Sequence, residues 1–147
     1  MNAISNLESN DVAEVIPVTQ VAALCHRKGK KGREVLLVTS SRGRWILPKG
    51  WPIDGLTDAE AALQEAWEEA GVRKGAVTDK PVAKFKGRKR FDGGEEKPAR
   101  VKVYAVKVLE TARKYPERKR RDRRWVSLSK AAKLLDDNGF RKALKAI

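Results

Sequence analysis

The sequence predicts an α/β fold in which helices cover a mixed β-sheet. Residues 18–29 and 33–41 are rich in β-forming residues and flank a basic turn with two glycines, which predicts a hairpin. Residues 100–109 alternate between apolar and polar side chains, the period of a strand. Residues 57–71 carry an amphipathic helical pattern with signals for both helix ends. This mixture of strands and helices along one chain is typical of a sheet sandwiched by helices.

A polar segment precedes the hairpin, and a short strand and a loop follow it. Residues 1–16 are polar and acidic without a clear period, so we expect a flexible arm or an edge strand. The remaining residues, 17–147, are expected to form a single domain, since no linker or repeat interrupts them. Residues 44–50 predict a short strand ended by Pro48 and Gly50, and residues 51–56 a loop.

One helix is predicted between Thr57 and Gly71. Thr57 and Glu60 have the spacing of a capping box, and Gly71 can take the left-handed conformation that ends a helix. Alanines and one leucine between them form an apolar stripe that predicts burial against the sheet. Its members are Ala59, Ala62, Leu63, Ala66 and Ala70.

The second half of the chain predicts further strands. Residues 81–91 alternate like a strand, residues 92–99 are rich in turn-forming residues, and residues 100–109 give the clearest strand signal. Residues 112–124 form a basic connection. A short strand at 125–129 is then expected to lead into a helix from about Ser129.

Composition excludes several classes of site. The chain has one cysteine, Cys25, and one histidine, His26, so neither a disulfide framework nor a Cys/His zinc site can form within it. The two are adjacent and would point to opposite faces of a strand, which argues against a Cys–His nucleophile. No run approaches the roughly 20 apolar residues of a membrane span. The N-terminus does not resemble a signal peptide, so we expect a cytoplasmic protein.

Charge is distributed unevenly along the 147 residues. The formal net charge is +14, yet residues 50–72 contain six acidic residues and no basic one. Residues 81–124 contain 17 Lys or Arg against 6 Asp or Glu, a net charge of +11. A field of this size attracts polyanions such as phosphates, nucleic acid or acidic membrane surfaces, which predicts a polyanionic partner.

Three glutamates cluster near the end of the predicted helix. Glu65, Glu68 and Glu69 are neighbours on one side of it, where like charges repel and the helix dipole disfavours them. The bland interpretation is a solvated acidic face. A divalent cation would instead turn the repulsion into coordination, and oxygen-only ligands suit Mg²⁺, with Mn²⁺ as the alternative.

The stretch "GWPIDGLTDAEAALQEAWEEAGV" (50–72) resembles the Nudix box, Gly-x5-Glu-x7-Arg-Glu-U-x-Glu-Glu-x-Gly-U, where U is a bulky aliphatic residue. The positions that match are Gly50, Glu65, Glu68, Glu69, Gly71 and Val72. Two positions depart: Leu56 stands for the first glutamate and Gln64 for the arginine, a pair that braces loop against helix in the family. Losing both leaves no stranded charge, so we expect a repacked loop that keeps the glutamates.

The resemblance implies a Nudix-type α/β/α sandwich and a magnesium-dependent pyrophosphohydrolase. It also implies roles for four positions in the box. Glu65 and Glu69 would be the principal metal ligands, and the Gly50 carbonyl would complete the inner shell. Glu68 would be a further ligand or the base that positions water, so Glu68 and Glu69 are the predicted catalytic residues.

Within the family, "VLLVTSSRGRWILPKGW" and "RRDRRWVSLSKAAKLL" look most like the diphosphoinositol polyphosphate phosphohydrolases, and "LPKG" is similar to the diadenosine tetraphosphate hydrolases. Both implied small-molecule substrates carry many phosphates, which suits the basic segment. Trp45 and Trp51 flank the predicted site and either could stack on a base, although Trp45 within a strand favours the core. Predicted phosphate contacts are Arg27, Ser41, Arg42, Lys49, Arg88, Arg90, Arg100 and Arg124.

A different function stays open for the basic connection. Residues 112–124 could bind nucleic acid, which would make the chain an RNA-binding Nudix-like protein or an RNA pyrophosphohydrolase. Against this, the segment lacks interleaved aromatic residues of the kind that stack single-stranded bases. Pro116 interrupts the run and argues against an amphipathic helix on a membrane.

Overall fold

A computed structural model describes residues 16–91 and 93–147, so the predicted arm or edge strand at 1–16 lies, apart from Ile16, outside the described residues. The described part forms eight strands in one sheet and three α-helices, followed by a 3₁₀ turn at Leu144–Ala146. The strands are β1 (Val18–Gly29), β2 (Gly32–Thr39), β3 (Trp45–Ile46), β4 (Lys49–Gly50), β5 (Val72–Val77), β6 (Ala83–Arg90), β7 (Glu96–Thr111) and β8 (Arg123–Ser127). The helices are α1 (Asp58–Ala70), α2 (Leu128–Leu134) and α3 (Asn138–Ala143).

The sheet is mixed, as predicted. Its main order is β3-β2-β1-β7-β5, while β4 pairs with β1, β6 with β7 and β8 with β2. The two central strands, β1 and β7, run parallel, and the other pairs are antiparallel. The pairing of Val21 with Gly50 places β4 directly beside β1.

Two hydrophobic cores lie on the two faces of this sheet. Ala22 and Leu24 of β1 face the core that α2 and α3 cover, together with Phe140. Their neighbours Val21 and Ala23 face the core that the alanines of α1 cover. The alternation follows from the two-residue period of a strand. The predicted α/β/α sandwich is therefore confirmed.

Helix α1 begins and ends as its sequence predicts. The Glu60 N–H donates to Thr57 Oγ1 at 3.1 Å, and the Thr57 N–H donates to Glu60 Oε1 at 2.8 Å, which completes the capping box. Gly71 adopts φ 71°, in the left-handed region. Arg123 Nη1 also donates to the Ala70 carbonyl at 2.7 Å and satisfies one of the exposed carbonyls at this helix end.

The structure corrects several predicted strands. Residues 44–50 form two short strands, β3 and β4, because Pro48 between them interrupts regular pairing. The region predicted as a turn at 92–99 is shorter, since β7 already pairs with β6 from Glu96. Strand β5 was not predicted at all: bulges shift its register against β7 and break the alternation that would signal it.

The C-terminal region holds two helices where one was predicted. Helix α2 begins at Leu128 after the N-cap Ser127, one residue before the expected start. Asp137 caps α3 by accepting from the Gly139 and Phe140 N–H groups at 2.8 and 3.1 Å, a start signal that the sequence reasoning passed over. None of the helices in the described residues has the length and apolar character required to cross a membrane.

Candidate active site

A cleft of about 600 Å³ lies beside β4. Strands β1, β4 and β6, the loop after β2, helix α1 and the connection before β8 all contribute to its walls. Among its lining residues, seven are basic and five acidic, so it combines anion-attracting and cation-attracting groups. The basic residues are Arg42, Arg44, Lys49, Arg88, Lys89, Arg90 and Arg121; the acidic ones are Glu65, Glu69, Glu96, Glu117 and Asp137.

Two of the three helix glutamates face this cleft. Glu65 and Glu69 are one turn apart on α1, and both line the cleft with Gly50. The Glu65 carboxylate packs so closely against Gly50 that a Cβ at position 50 would collide with it. Glu69 is only 4% exposed, and its Oε1 accepts from the Lys49 N–H at 3.3 Å. Strand β4 therefore holds both carboxylates against the sheet.

Burial makes these carboxylates reluctant to ionise without a cation. For Glu69, burial is the main cause and raises the pKa to about 8, although Arg121 opposes the shift. For Glu65, burial again dominates, and the nearby Glu68 and Glu117 add repulsion, which together raise the pKa to about 7. Two neighbouring carboxyls with raised pKa values in one cleft mark a candidate functional site.

Arg121 connects the carboxylates to the basic connection. Its Nε donates to Glu117 Oε1 at 2.8 Å, its Nη1 donates to the Thr39 carbonyl at 2.8 Å, and its Nη2 lies 3.8 Å from Glu69 Oε2. The side chain is about 20% exposed. One guanidinium thus fixes the end of β2, the connection and the helix relative to one another.

The donor set fits a hard divalent cation. Glu69 is a buried oxygen donor and Glu65 a partly buried one, both with raised pKa values, and they open into the cleft beside the Gly50 backbone. Within 16–91 and 93–147, no three His, Cys, Asp or Glu side chains converge as a closed cage. Two carboxylates beside a backbone carbonyl are the kind of donor set with which proteins hold Mg²⁺, since waters and substrate phosphates usually supply its other ligands.

Glu68 is placed differently from its two neighbours. Its Oε2 accepts from Gln64 Nε2 at 3.3 Å, its backbone carbonyl accepts from the Glu117 N–H at 2.9 Å, and it is not among the residues that line the cleft. Leu56, at the other departing position of the box, is 40% exposed and belongs to neither hydrophobic core. The loop is anchored by Ile53, which packs against the α1 core.

The predicted phosphate contacts divide into two groups. Ser41, Arg42, Lys49, Arg88 and Arg90 line the cleft, whereas Arg27, Arg100 and Arg124 lie outside it. Arg27 pairs with Glu34 at 2.8 Å and lies over the Trp125 ring at 3.9 Å, so its guanidinium is already engaged. Trp45 packs against the core that α2 and α3 cover, and Trp51 lines the cleft.

Sequence reasoning missed four functional candidates in the walls: Gln20, Arg44, Glu117 and Arg121. Arg44 had a signal, since it follows Ser41 and Arg42 in the same loop. Glu117 and Arg121 were hidden inside the basic connection, where their i, i+4 spacing was the available clue. Gln20 has no distinguishing pattern in sequence.

Gln20 is the one side chain in the described residues with a buried polar atom that lacks a partner. It is 2% exposed, lines the cleft, and its Oε1 accepts no hydrogen bond. A buried acceptor without a donor costs about 1–3 kcal/mol. The amide oxygen is therefore suited to accept a hydrogen bond from a donor bound in the cleft.

Comparison with known proteins decides the family. The NUDIX domain model matches residues 18–147. The chain belongs to the Nudix family. It is similar to the mitochondrial Nudix hydrolase 12 of Arabidopsis thaliana, with 36% identity over 116 residues, which are 76% of this chain and 57% of the relative. The chain thus spans little more than half the length of this plant relative.

Two further comparisons give a similar sequence and a similar fold. Human diphosphoinositol polyphosphate phosphohydrolase 3-beta is 33% identical over 120 residues, which cover 79% of this chain and 68% of that protein. The crystal structure of the C. elegans Ap4A hydrolase shares the fold, with a TM-score of 0.63 and 19% identity over 89% of this chain and 96% of that one. The predicted resemblance to the Nudix family is confirmed.

Proposed function

We propose that the chain is a Mg²⁺-dependent pyrophosphohydrolase that cleaves a phosphoanhydride in a highly phosphorylated small molecule. One observation carries the proposal: the carboxylates Glu65 and Glu69, of which Glu69 is buried, open into a cleft that seven basic side chains also line. The carboxylates suit a cation, and the basic side chains suit the phosphates that would share it. Mn²⁺ is the alternative metal.

In this proposal Glu65, Glu69 and the Gly50 carbonyl hold the metal, which when bound supplies charge neutralisation at the phosphoanhydride and lowers the pKa of water. Glu68 is kept as a further ligand or as the base that positions water. Glu117 is a second candidate for that base, because its carboxylate lines the cleft and is fixed by Arg121.

The basic side chains orient the phosphates. Arg42 and Arg44 are exposed on the loop between β2 and β3, and form no ion pair among the described residues. Arg88 and Arg90 share Glu96, at 2.8 and 3.9 Å, so each keeps donors for a ligand. Planar guanidinium groups on two sides of a cleft suit a chain of phosphates rather than a single one.

The names of two relatives support the choice of substrate. One is a human diphosphoinositol polyphosphate phosphohydrolase and the other a C. elegans Ap4A hydrolase. We therefore propose a diphosphoinositol polyphosphate or a diadenosine polyphosphate as the substrate. A cytoplasmic location is part of the proposal, although the plant relative is mitochondrial by name.

The test is phosphate release with Mg²⁺ from a panel of diadenosine polyphosphates, a diphosphoinositol phosphate and ADP-ribose. We expect hydrolysis of the highly phosphorylated compounds, a loss of at least about 100-fold in Glu69→Gln, and no activity in EDTA. Glu110→Gln is the matched control, since Glu110 is a half-exposed carboxylate paired with Arg73 and Lys74 at the far end of β7. Equal rates for Glu69→Gln and wild type would reject the metal site.

The exposed part of the basic connection supports a second candidate, an RNA-binding or RNA pyrophosphohydrolase role. Six of its basic side chains are exposed: Arg113, Lys114, Arg118, Lys119, Arg120 and Arg124. RNA binding that weakens steeply with salt but survives EDTA would favour this role over small-molecule hydrolysis.

A further inference from the structure

Trp51 is an exposed aromatic residue in the wall of the cleft. It is 44% exposed, although large apolar side chains are usually covered. It directly follows Gly50, the residue that contacts the Glu65 carboxylate. A large apolar ring beside a charged cleft is suited to a ligand that has an apolar surface of its own.

Phe91 supports this ring from the neighbouring hairpin. The two ring centroids are 6.2 Å apart and the planes differ by 24°, an offset stack. Phe91 is fixed in place because its N–H donates to the Glu95 carbonyl at 2.8 Å and its carbonyl accepts from the Gly94 N–H at 2.9 Å. Trp51 therefore has a braced position and still keeps an uncovered surface.

The aromatic pair and the phosphate-attracting side chains belong to the same two segments. Phe91 comes immediately after Arg90 and three residues after Arg88, and both arginines line the cleft with Trp51. A ligand that lies across this wall meets a flat apolar surface next to guanidinium groups. That combination fits a nucleotide, whose flat base and charged phosphates are covalently joined, better than it fits an inositol ring, which has no π-face and carries phosphates around its rim.

We propose that Trp51, supported by Phe91, stacks on a nucleobase of the substrate. The proposal rests on the hydrolase function proposed above, and of the two substrate classes named there it selects the nucleoside polyphosphates. Stacking on an aromatic ring tolerates any base, so Trp51 distinguishes nucleotides from other polyphosphates and does not distinguish one base from another. Trp51 is a specificity-determining residue in this proposal and takes no part in bond cleavage.

The kinetic test compares Trp51→Ala, Trp51→Phe and Leu56→Ala. Leu56 is the matched control, because it is 40% exposed in the same loop and does not line the cleft. With diadenosine tetraphosphate, we expect Trp51→Ala to raise KM about 10-fold with kcat nearly unchanged, because the stack is equally present before and during the reaction. Trp51→Phe should recover most of the loss, and Leu56→Ala should match wild type.

The second substrate separates specificity from a structural role. With diphosphoinositol pentakisphosphate, KM should not change in Trp51→Ala. An equal rise in KM for both substrates would overturn the proposal, since it would mean that the substitution distorts the cleft. An unchanged KM for diadenosine tetraphosphate would overturn it as well.

A binding measurement keeps the proposal independent of turnover. Titration of the protein with ATP and with inorganic tripolyphosphate in Mg²⁺ compares two ligands that share a phosphate chain and differ in the nucleoside. We expect ATP to bind about 10-fold more tightly to wild type, and Trp51→Ala to remove that difference. Equal affinities in wild type would overturn the base-stacking proposal even if the hydrolase function held; a difference abolished by Trp51→Ala would support it even if no hydrolysis were found.

Discussion

Replacing the ionisable carboxyl of Glu69 by an amide should change how the stability of the metal-free protein depends on pH. Burial raises the pKa of this carboxyl to about 8 in the folded protein, against an ordinary value of 4.5. Between these two pH values the unfolded chain has an ionised Glu69, while the folded chain keeps the proton. The folded state therefore binds more protons, and its stability falls as the pH rises through this range.

The size of the effect follows from the shift. Each pKa unit corresponds to about 1.36 kcal/mol, so the interval from pH 5.5 to pH 8 is worth about 3 kcal/mol at Glu69. Little is lost to solvent screening, because the residue is 4% exposed. Glu69→Gln keeps the size and the acceptor oxygen that Lys49 N–H uses, but it cannot ionise. The variant should not show this part of the pH dependence.

The assay is urea unfolding of wild type and Glu69→Gln in EDTA at pH 5.5 and pH 8.5. We expect the difference in unfolding free energy between the two proteins to shift by about 3 kcal/mol in favour of the variant at the higher pH. Millimolar Mg²⁺ at pH 8.5 should restore wild type and leave the variant unchanged, because the cation takes the place of the proton. A difference that stays constant with pH would refute the reasoning.

Two glycine substitutions should separate activity from stability. In Gly50→Ala the new Cβ displaces the flexible carboxylate of Glu65. We therefore expect kcat/KM to fall about 100-fold in the phosphate-release assay, while the free energy of unfolding changes by less than about 1 kcal/mol. Unchanged kinetics would contradict the placement of Glu65. In Gly71→Ala the backbone must keep φ 71°, and the new Cβ meets the Tyr115 ring at 2.5 Å. We therefore expect the free energy of unfolding to fall by at least about 2 kcal/mol. A melting temperature equal to that of wild type would contradict the cap geometry.

The elements predicted best from sequence are those specified by local chemistry. The ends of α1 follow from Thr57, Glu60 and Gly71, since capping side chains act within one turn of the backbone they satisfy. The hairpin of β1 and β2 likewise follows from neighbouring residues, and Gly29 pairs with Gly32 at its tip. Strand β5 was not predicted because its pairing with β7 is irregular, and a bulge is set by the partner strand rather than by the local pattern.

The candidate site divides along the same line. Gly50, Glu65 and Glu69 were found because a fixed spacing along the chain brings them together across one helix and one loop. Glu117 reaches the same cleft from more than 40 residues away, and no local spacing encodes that distance. The burial of Gln20 could not be predicted from the sequence either, because it depends on which strands lie beside β1.

The basic connection shows why a count of charges is an incomplete description. Residues 81–124 were interpreted as one field that attracts polyanions, yet two arginines of the connection at 112–124 are committed to the fold. Arg121 binds Glu117 and the Thr39 carbonyl, and Arg123 binds the end of α1. Arg121 lines the cleft and Arg123 does not, while Arg118 to Arg120 stay exposed. Arg121 also lies 3.8 Å from Glu69. The basic connection therefore contributes to the long-range field and also contacts a carboxylate of the cleft. In the proposed function, attraction of the substrate and placement of the metal ligands are therefore coupled through one side chain. A change of sign at position 121 would disturb both at once, whereas the same change at position 119 would weaken only the field.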